Sequence, residues 1–378
     1  MKIQHLSLLF FGCILAGCNG AHTGLTADGG DTVVMRYARQ LVIVKHDGYT
    51  DVRLADPWHQ GKTLHRYILV PKSEKEIPEE AQALTKDSAT LVRTPLSRSI
   101  VFTSVHTALL QELHEAKAVA GVCDLDYMNL PWVKTAVRQG KIANCGNSMT
   151  PNIEKIIDTR PDALILSPFE NSGGYGKLDK LHIPLIEAAD YMETSALGRA
   201  EWVKFYGLLF GQEATADSIF RVTDSTYHAL QGKAAKTTKR PTVITELKTG
   251  GTWYVPGGES SVAALIRDAG AAYCYSKDKS TGSLSLSFEK VLNDAGNADF
   301  WLYKYDTTPT TLAQLKAAFP GYTEMKAWQK KNVWGADCTK VPFYEETPFH
   351  PERVLRDFII IFHPELRLGA CRYYHHII

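Results

Sequence analysis

The strongest constraint on the fold is an echo between two distant stretches of the chain. Ile153-Glu154-Lys155-Ile156-Ile157 followed by Asp162-Ala163-Leu164-Ile165-Leu166 reads as a helix running into a buried strand. Phe288-Glu289-Lys290-Val291-Leu292 followed by Asp299-Phe300-Trp301-Leu302-Tyr303 repeats that order, with two extra residues before the strand. A helix-to-strand unit buries its apolar face only against further elements of the same kind, so two copies imply two similar α/β lobes facing one another. The interface between such lobes is a cleft, where ligands usually bind.

The pattern around the echo divides the chain. Residues 31–96 read as a small β-meander: Tyr37 to Val44 and Tyr49 to Leu54 flank Asp47-Gly48, a hairpin signal, and Leu64 to Val70 follows as a strand. Glu74 to Lys86 is charged and peripheral. From Arg98 strands and helices alternate, with Thr103 or Ser104 able to cap a helix through Glu115, and residues 97–194 form the first lobe. Residues 195–236 contain no proline and carry apolar residues at helical spacing, capped by Ser195 and broken at Gly211. A helix of roughly 20 residues there would reach about 30 Å and serve as a strut between the lobes. Residues 237–378 form the second lobe, with a helix starting at Ser260 or Ser261 and a closing helix over Pro351 to Phe362.

The N-terminus carries an address. Lys2 precedes the apolar run Leu6 to Leu15, which is too short to span a bilayer as a mature helix. Leu15-Ala16-Gly17-Cys18 then resembles the bacterial lipobox. That resemblance implies a signal peptide over residues 1–17, cleavage before Cys18, acylation of Cys18, and a tether over residues 18–30. Several acyl chains would anchor the protein firmly to a membrane. No acidic run follows Cys18, unlike many surface-exported Bacteroidetes lipoproteins, which favours the periplasmic face of the cytoplasmic membrane. No second hydrophobic stretch is long enough to cross a membrane.

Removing residues 1–17 takes one lysine from 42 basic residues and leaves them equal to the 41 acidic ones. That balance argues against nucleic acid as a partner, which calls for a basic excess. Beyond Cys13 and Cys18, the cysteines Cys123, Cys145, Cys274, Cys338 and Cys371 show no zinc-like spacing. Cys123 and Cys145 fall in one lobe, as a disulfide or as buried thiols.

Four further segments carry a resemblance. Glu154-Lys155-Ile156 with Arg160-Pro161-Asp162-Ala163-Leu164-Ile165, Leu197 to Trp202, Pro256 to Ser261 with Asp268-Ala269-Gly270, and Phe349 to Asp357 with His363-Pro364-Glu365 stand in a characteristic order and spacing. Over roughly residues 95 to 366 the chain resembles the periplasmic binding proteins of siderophore, haem and cobalamin ABC importers. The resemblance implies two Rossmann-like lobes joined by a long rigid helix, acting as a monomer without a resident cofactor or metal. It implies a small metal chelate as ligand and ABC permease and ATPase subunits as partners, with glutamates on each lobe meeting permease arginines. Glu112 and Glu115 lie near the first-lobe glutamate. In the second lobe Arg267 stands where cobalamin-binding relatives have glutamate, and Glu259 is an alternative contact. The Leu197 and His350 segments lean towards an iron complex, siderophore or haem, with cobalamin as the alternative.

A chelate needs apolar walls and a few placed polar groups, supplied by the loops that follow strands. Those loops hold Tyr127, Trp132, Phe169, Tyr175, Trp253, Tyr254, Tyr303 and Tyr305 as candidate ligand contacts, with Lys248 or Lys304 to meet an anionic chelate. Direct metal coordination has only His106 near a strand end, Met128 or Met149 could ligate a haem iron axially, and His375-His376 reads as a surface tail. Two α/β lobes also describe chelatase-like enzymes, but G-x-x-x-x-G-K-[ST], G-x-S-x-G and H-E-x-x-H are absent, and Leu178 replaces the magnesium-binding hydroxyl after Gly176-Lys177.

Overall fold

The computed structural model describes residues 29–170 and 174–378, so Cys18 and the signal sequence lie outside the described residues. The echo forms one architectural unit twice. Asn152 caps the helix Ile153–Thr159 by accepting from the Lys155 amide, and Ser287 caps Phe288–Ala295 by accepting from the Lys290 amide. The strands that follow, Ala163–Leu166 and Phe300–Tyr305, each pair in parallel with the first strand of their lobe, Ser99–Val101 and Thr242–Thr245. The echoed aspartates explain why the unit is written the same way twice. Asp162 accepts the amides of Ser97 and Arg98, and Asp299 accepts the amide and hydroxyl of Thr242. Each carboxylate thus fastens the entry of the neighbouring first strand.

The first-lobe sheet is wholly parallel, in the order Leu185–Glu187, Ala163–Leu166, Ser99–Val101, Val119–Val122, Ala143–Asn144. Its central strands are buried along their whole length, as continuous apolar runs in parallel sheets are. The second-lobe sheet runs Ala272–Tyr273, Thr242–Thr245, Phe300–Tyr305, Val333–Asp337, His375–His376, the last strand antiparallel. His375-His376 is exposed, as the surface reading expected, but it forms the edge strand of the sheet and not a free tail, and Ile377 beside it is buried. Backbone amides of Arg372, Tyr373 and Tyr374 on the buried Asp357 carboxylate hold this strand in place.

In both sheets the strand order reverses beside the first strand, and the crevice at such a switch point is where open α/β sheets bind ligands. In the first lobe the switch lies between Ser99–Val101 and Ala163–Leu166, and in the second between Thr242–Thr245 and Phe300–Tyr305.

The connector consists of Ala196–Glu201, Val203–Phe210 and the 23-residue helix Glu213–Ala235, about 35 Å long. Gly211, at φ +67°, ends the second of these, where a side chain would be strained. The long helix buries Ala216, Phe220, Tyr227, Leu230 and Ala234 on one face, against both lobes and the closing helix Pro351–Phe362.

The N-terminal sheet is a meander over its first four strands, the last three being Leu41–His46, Tyr49–Ala55 and Thr63–Pro71. The charged stretch expected to be peripheral contains a helix, Glu79–Asp87, that crosses to a fifth strand, Thr90–Thr94, parallel to Thr63–Pro71. Two buried carboxylates clamp this extension onto the connector. Glu201 accepts the amides of Arg36, Tyr37 and Ala38, and Glu193 accepts those of Arg39 and Gln40. Burial pushes the Glu193 carboxyl up, against the hydrogen bonds from Trp202 and these amides. Among the described residues no helix is long and apolar enough to cross a membrane.

A three-stranded sheet absent from the sequence reading, Lys248–Thr249, Thr252–Pro256 and Ser283–Leu286, stands at the switch-point end of the second lobe. A side chain on Gly257 would lie 2.2 Å from the Ser280 carbonyl oxygen, so the Pro-Gly-Gly segment permits this close crossing. The five described cysteines are free thiols, with Cys123 and Cys145 buried together in the first lobe.

Candidate ligand-binding cleft

The lobes meet around a cavity of about 260 Å³. Val105, just past the first-lobe switch strand, and Ala196 and Arg199 of the connector form one side. Thr245, Glu246, Leu302 and Lys304 at the second-lobe switch point form the other, with Phe343, Tyr344 and the start of the closing helix completing the wall. A depression of about 620 Å³, lined by Lys248, Tyr254 and Tyr305, shares Glu246 and Lys304 with this cavity. The lining of the cavity is mostly apolar with a few convergent polar groups, as a small-molecule site requires, and that of the depression is more polar.

Local chemistry fixes the polar groups. Asp190, fully buried, accepts from His106 Nε2 at 2.8 Å, from Arg199 Nε at 2.9 Å and from the Tyr206 hydroxyl at 3.3 Å. Burial alone would raise the Asp190 carboxyl, but His106 and Arg199 beside it outweigh that and hold it below the usual range. Thr103, the cap of the helix Ser104–Glu112, takes the other nitrogen of His106 at 2.5 Å. Both ring nitrogens of His106 are thus engaged, and no group of three metal-ligating side chains occurs among the described residues. Across the cavity Lys304 pairs with Glu246 and lies 6.0 Å from the Phe343 ring centre.

The lobes also touch directly. Glu345 accepts the Asn129 amide at 2.9 Å. His350 bridges Glu112 of the first lobe and Glu352 of its own helix. Burial opposes the charged His350 imidazolium, but the two carboxylates prevail and raise its pKa to about 9.

The sequence-predicted contacts separate into rim and core. Tyr127, Phe169 and Tyr254 are exposed, as are Met149 and Tyr344, with Tyr127 on the 3-10 turn Leu125–Tyr127 and Tyr344 on the short helix Phe343–Glu346. Phe169, Tyr175 and Met149 line a first-lobe depression of about 490 Å³, and Tyr175 donates to Glu187 at 2.6 Å. Asn171, Ser172 and Gly173 of the same loop lie outside the described residues. Tyr305 lines the second-lobe depression with its hydroxyl 3.0 Å from His375, and burial pushes that hydroxyl up to about 12.

Trp253 and Tyr303 correct the expectation. Trp253 is fully buried, donating from Nε1 to the Thr245 carbonyl, and Tyr303 is buried with its hydroxyl on the Pro309 carbonyl. Both belong to the second-lobe core: strand alternation turns Trp253 away from the face of exposed Tyr254, and Tyr303 shares its strand face with Tyr305, a member of the same core cluster. Trp132 packs against the first-lobe core. Among the docking acids, Glu115 is buried and bound by Gln212 at 2.8 Å, Glu112 is engaged by His350, and Glu259 is exposed beside Lys279.

Sequence reasoning missed Arg199, Glu246, Phe343 and Tyr344. The rule that loops after strands line the cleft reaches Glu246, which follows Thr242–Thr245, and Tyr344, which follows Val333–Asp337. Nothing local marks Arg199, which sits inside a connector helix.

Known proteins show the same plan. The family model described as periplasmic binding protein matches residues 100–338, which leaves the N-terminal sheet outside the match. An uncharacterized lipoprotein of Methanocaldococcus jannaschii is 25% identical over 361 residues, covering 89% of this chain and 84% of its own. A periplasmic haem-binding protein from Pseudomonas aeruginosa superposes with a TM-score of 0.60 at 14% identity, over 75% of this chain and 98% of that one. A possible iron-binding periplasmic solute-binding protein from Staphylococcus epidermidis does so with a TM-score of 0.56 at 17% identity, over 71% and 100%. With two lobes, paired switch points and a cavity at their junction, the chain belongs to the periplasmic binding protein family.

Proposed function

We propose that this chain is the lipid-anchored substrate-binding protein of an ABC importer, and that it captures an iron complex, siderophore or haem, outside the cytoplasmic membrane. The observation that carries the reading is the cavity at the lobe junction, walled by Val105 of the first lobe and by the second-lobe switch point, with exposed Tyr344 in its lining and exposed Tyr254 in the adjoining depression. A flat or bulky chelate lies against Phe169 and Tyr254 at the rim, with Lys304 and Arg199 beneath it. The helix Glu213–Ala235, packed against both lobes, keeps them at nearly fixed separation, so capture needs only a small closing motion. The M. jannaschii lipoprotein and the lipobox-like Leu15 to Cys18 support the anchor, and the haem-binding and iron-binding structural neighbours support the cargo class. Exposed Glu259 is the second-lobe acid available to the permease.

The test is a tryptophan-fluorescence titration with ferric siderophores, haem and cobalamin. Saturable quenching by an iron complex at micromolar or lower concentration, weakened in Tyr254→Ala and Tyr344→Ala, is expected. Binding of cobalamin alone would replace the cargo with a cobalt complex. A folded protein that binds none of them would refute the reading.

A further inference from the structure

The cavity holds hydrogen-bond donors that nothing in the fold uses. Arg199 is held through Nε by Asp190, itself fixed by His106 and Tyr206. Its two terminal nitrogens have no hydrogen-bond partner among the described residues, and its side chain, 29% exposed, borders the cavity. Opposite, the hydroxyl of buried Thr245 has no partner of good hydrogen-bond geometry among the described residues, and the Tyr273 hydroxyl near it donates to the Pro256 carbonyl. Lys304 gives one of its three N–H groups to Glu246. The rest of the wall is largely apolar, including Val105, Leu302 and Phe358, with Glu246, Ser261, Tyr344, Thr347 and Tyr374 as its other polar residues.

Closing this cavity over an apolar group would strand those donors away from water, at a cost comparable to lost hydrogen bonds. A planar oxyanion instead matches the fork of a guanidinium, which binds carboxylates through two parallel hydrogen bonds. Arg199 is oriented for this, since Asp190 fixes the plane of the group from behind. Building on the proposed cargo, we propose that Arg199, with Thr245 and Lys304 facing it, forms a receptor for a carboxylate arm of the chelate. The metal centre then stays at the aromatic rim while the arm reaches into the floor of the cleft. Neutral amide side chains, as on cobalamin, offer carbonyl acceptors but neither the charge nor the paired oxygens that match this fork.

The test uses the full chain in detergent with haem, haem dimethyl ester, ferric citrate and metal-free citrate. Wild type should bind haem at least about tenfold more tightly than its ester, the scale of one charge-assisted contact. Arg199→Lys, which keeps a cation beside Asp190 but loses the fork, should weaken haem and ferric citrate by about tenfold and bring haem and ester within about twofold of each other. A purely structural role for Arg199 would lower affinity for haem and ester alike. Metal-free citrate should raise the melting temperature of wild type and not of Arg199→Lys. Chelates that bind wild type and Arg199→Lys equally, or haem and ester equally, would overturn the receptor while leaving the cargo reading intact. Stabilisation by citrate through Arg199 without binding of any chelate would support the receptor and overturn the cargo. Neither binding nor stabilisation would overturn both.

Discussion

His350 ties the lobes together with a proton, and that makes the fold's stability depend on pH in a calculable way. Its imidazole lies between Glu112 on the first lobe and Glu352 on its own helix, with Arg353 opposing its charge. The folded-state pKa is about 9, above the ordinary value of 6.5. A raised pKa means that the folded state binds the proton more tightly, so the contribution is full below pH 6.5 and disappears as pH rises through about 9. At about 1.4 kcal/mol for each tenfold in proton affinity, the difference between those values corresponds to roughly 3 kcal/mol. Because the side chain is largely buried, solvent screening removes little of it. Urea unfolding of wild type and His350→Gln, each measured at pH 6.5 and pH 9.5, isolates the contribution from other groups that titrate in this window. Wild type should lose roughly 3 kcal/mol more than the variant over this range. Glu112→Gln should remove a large share of the excess, because the interlobe hydrogen bond is the first of the favourable influences on His350. Identical pH slopes in wild type and His350→Gln would refute the reasoning.

The buried and exposed neighbours on one strand should part company under mutation. Trp253→Ala should cost about 3–5 kcal/mol in thermal or urea unfolding, as truncation of a buried tryptophan does, whereas Tyr254→Ala should leave stability within about 0.5 kcal/mol and weaken chelate binding. Glu201→Gln puts a donor where the amides of Arg36, Tyr37 and Ala38 already donate, so hydrogen exchange at those three positions should accelerate by at least about tenfold. Cys18→Ser should abolish incorporation of labelled palmitate and release the protein from membranes on fractionation, if the lipobox resemblance identifies the anchor.

Much of the architecture was legible because it is written in local terms. The echoed aspartates, the caps Thr103, Ser195 and Ser260, and the Gly211 break act within a few residues, or between strands whose apolar runs are unmistakable. The two-lobed α/β plan follows from those units alone, since each must bury its strands against its own helices. The floor of the cleft was not legible. Trp253 and Tyr254 are neighbours of similar character, and only pairing of their strand with the distant Ser283–Leu286 decides that Trp253 enters the core and Tyr254 faces out. Arg199 became a cavity residue because Asp190, in the turn that follows the first-lobe strand Leu185–Glu187, holds its Nε. Glu112 and Glu115 differ for the same kind of reason, one meeting His350 across the lobes and the other Gln212 at the connector. A sequence fixes which residues can cap, alternate and bury. Which face a side chain finally presents depends on partners brought together by folding, whose energies are comparable to the local preferences they override.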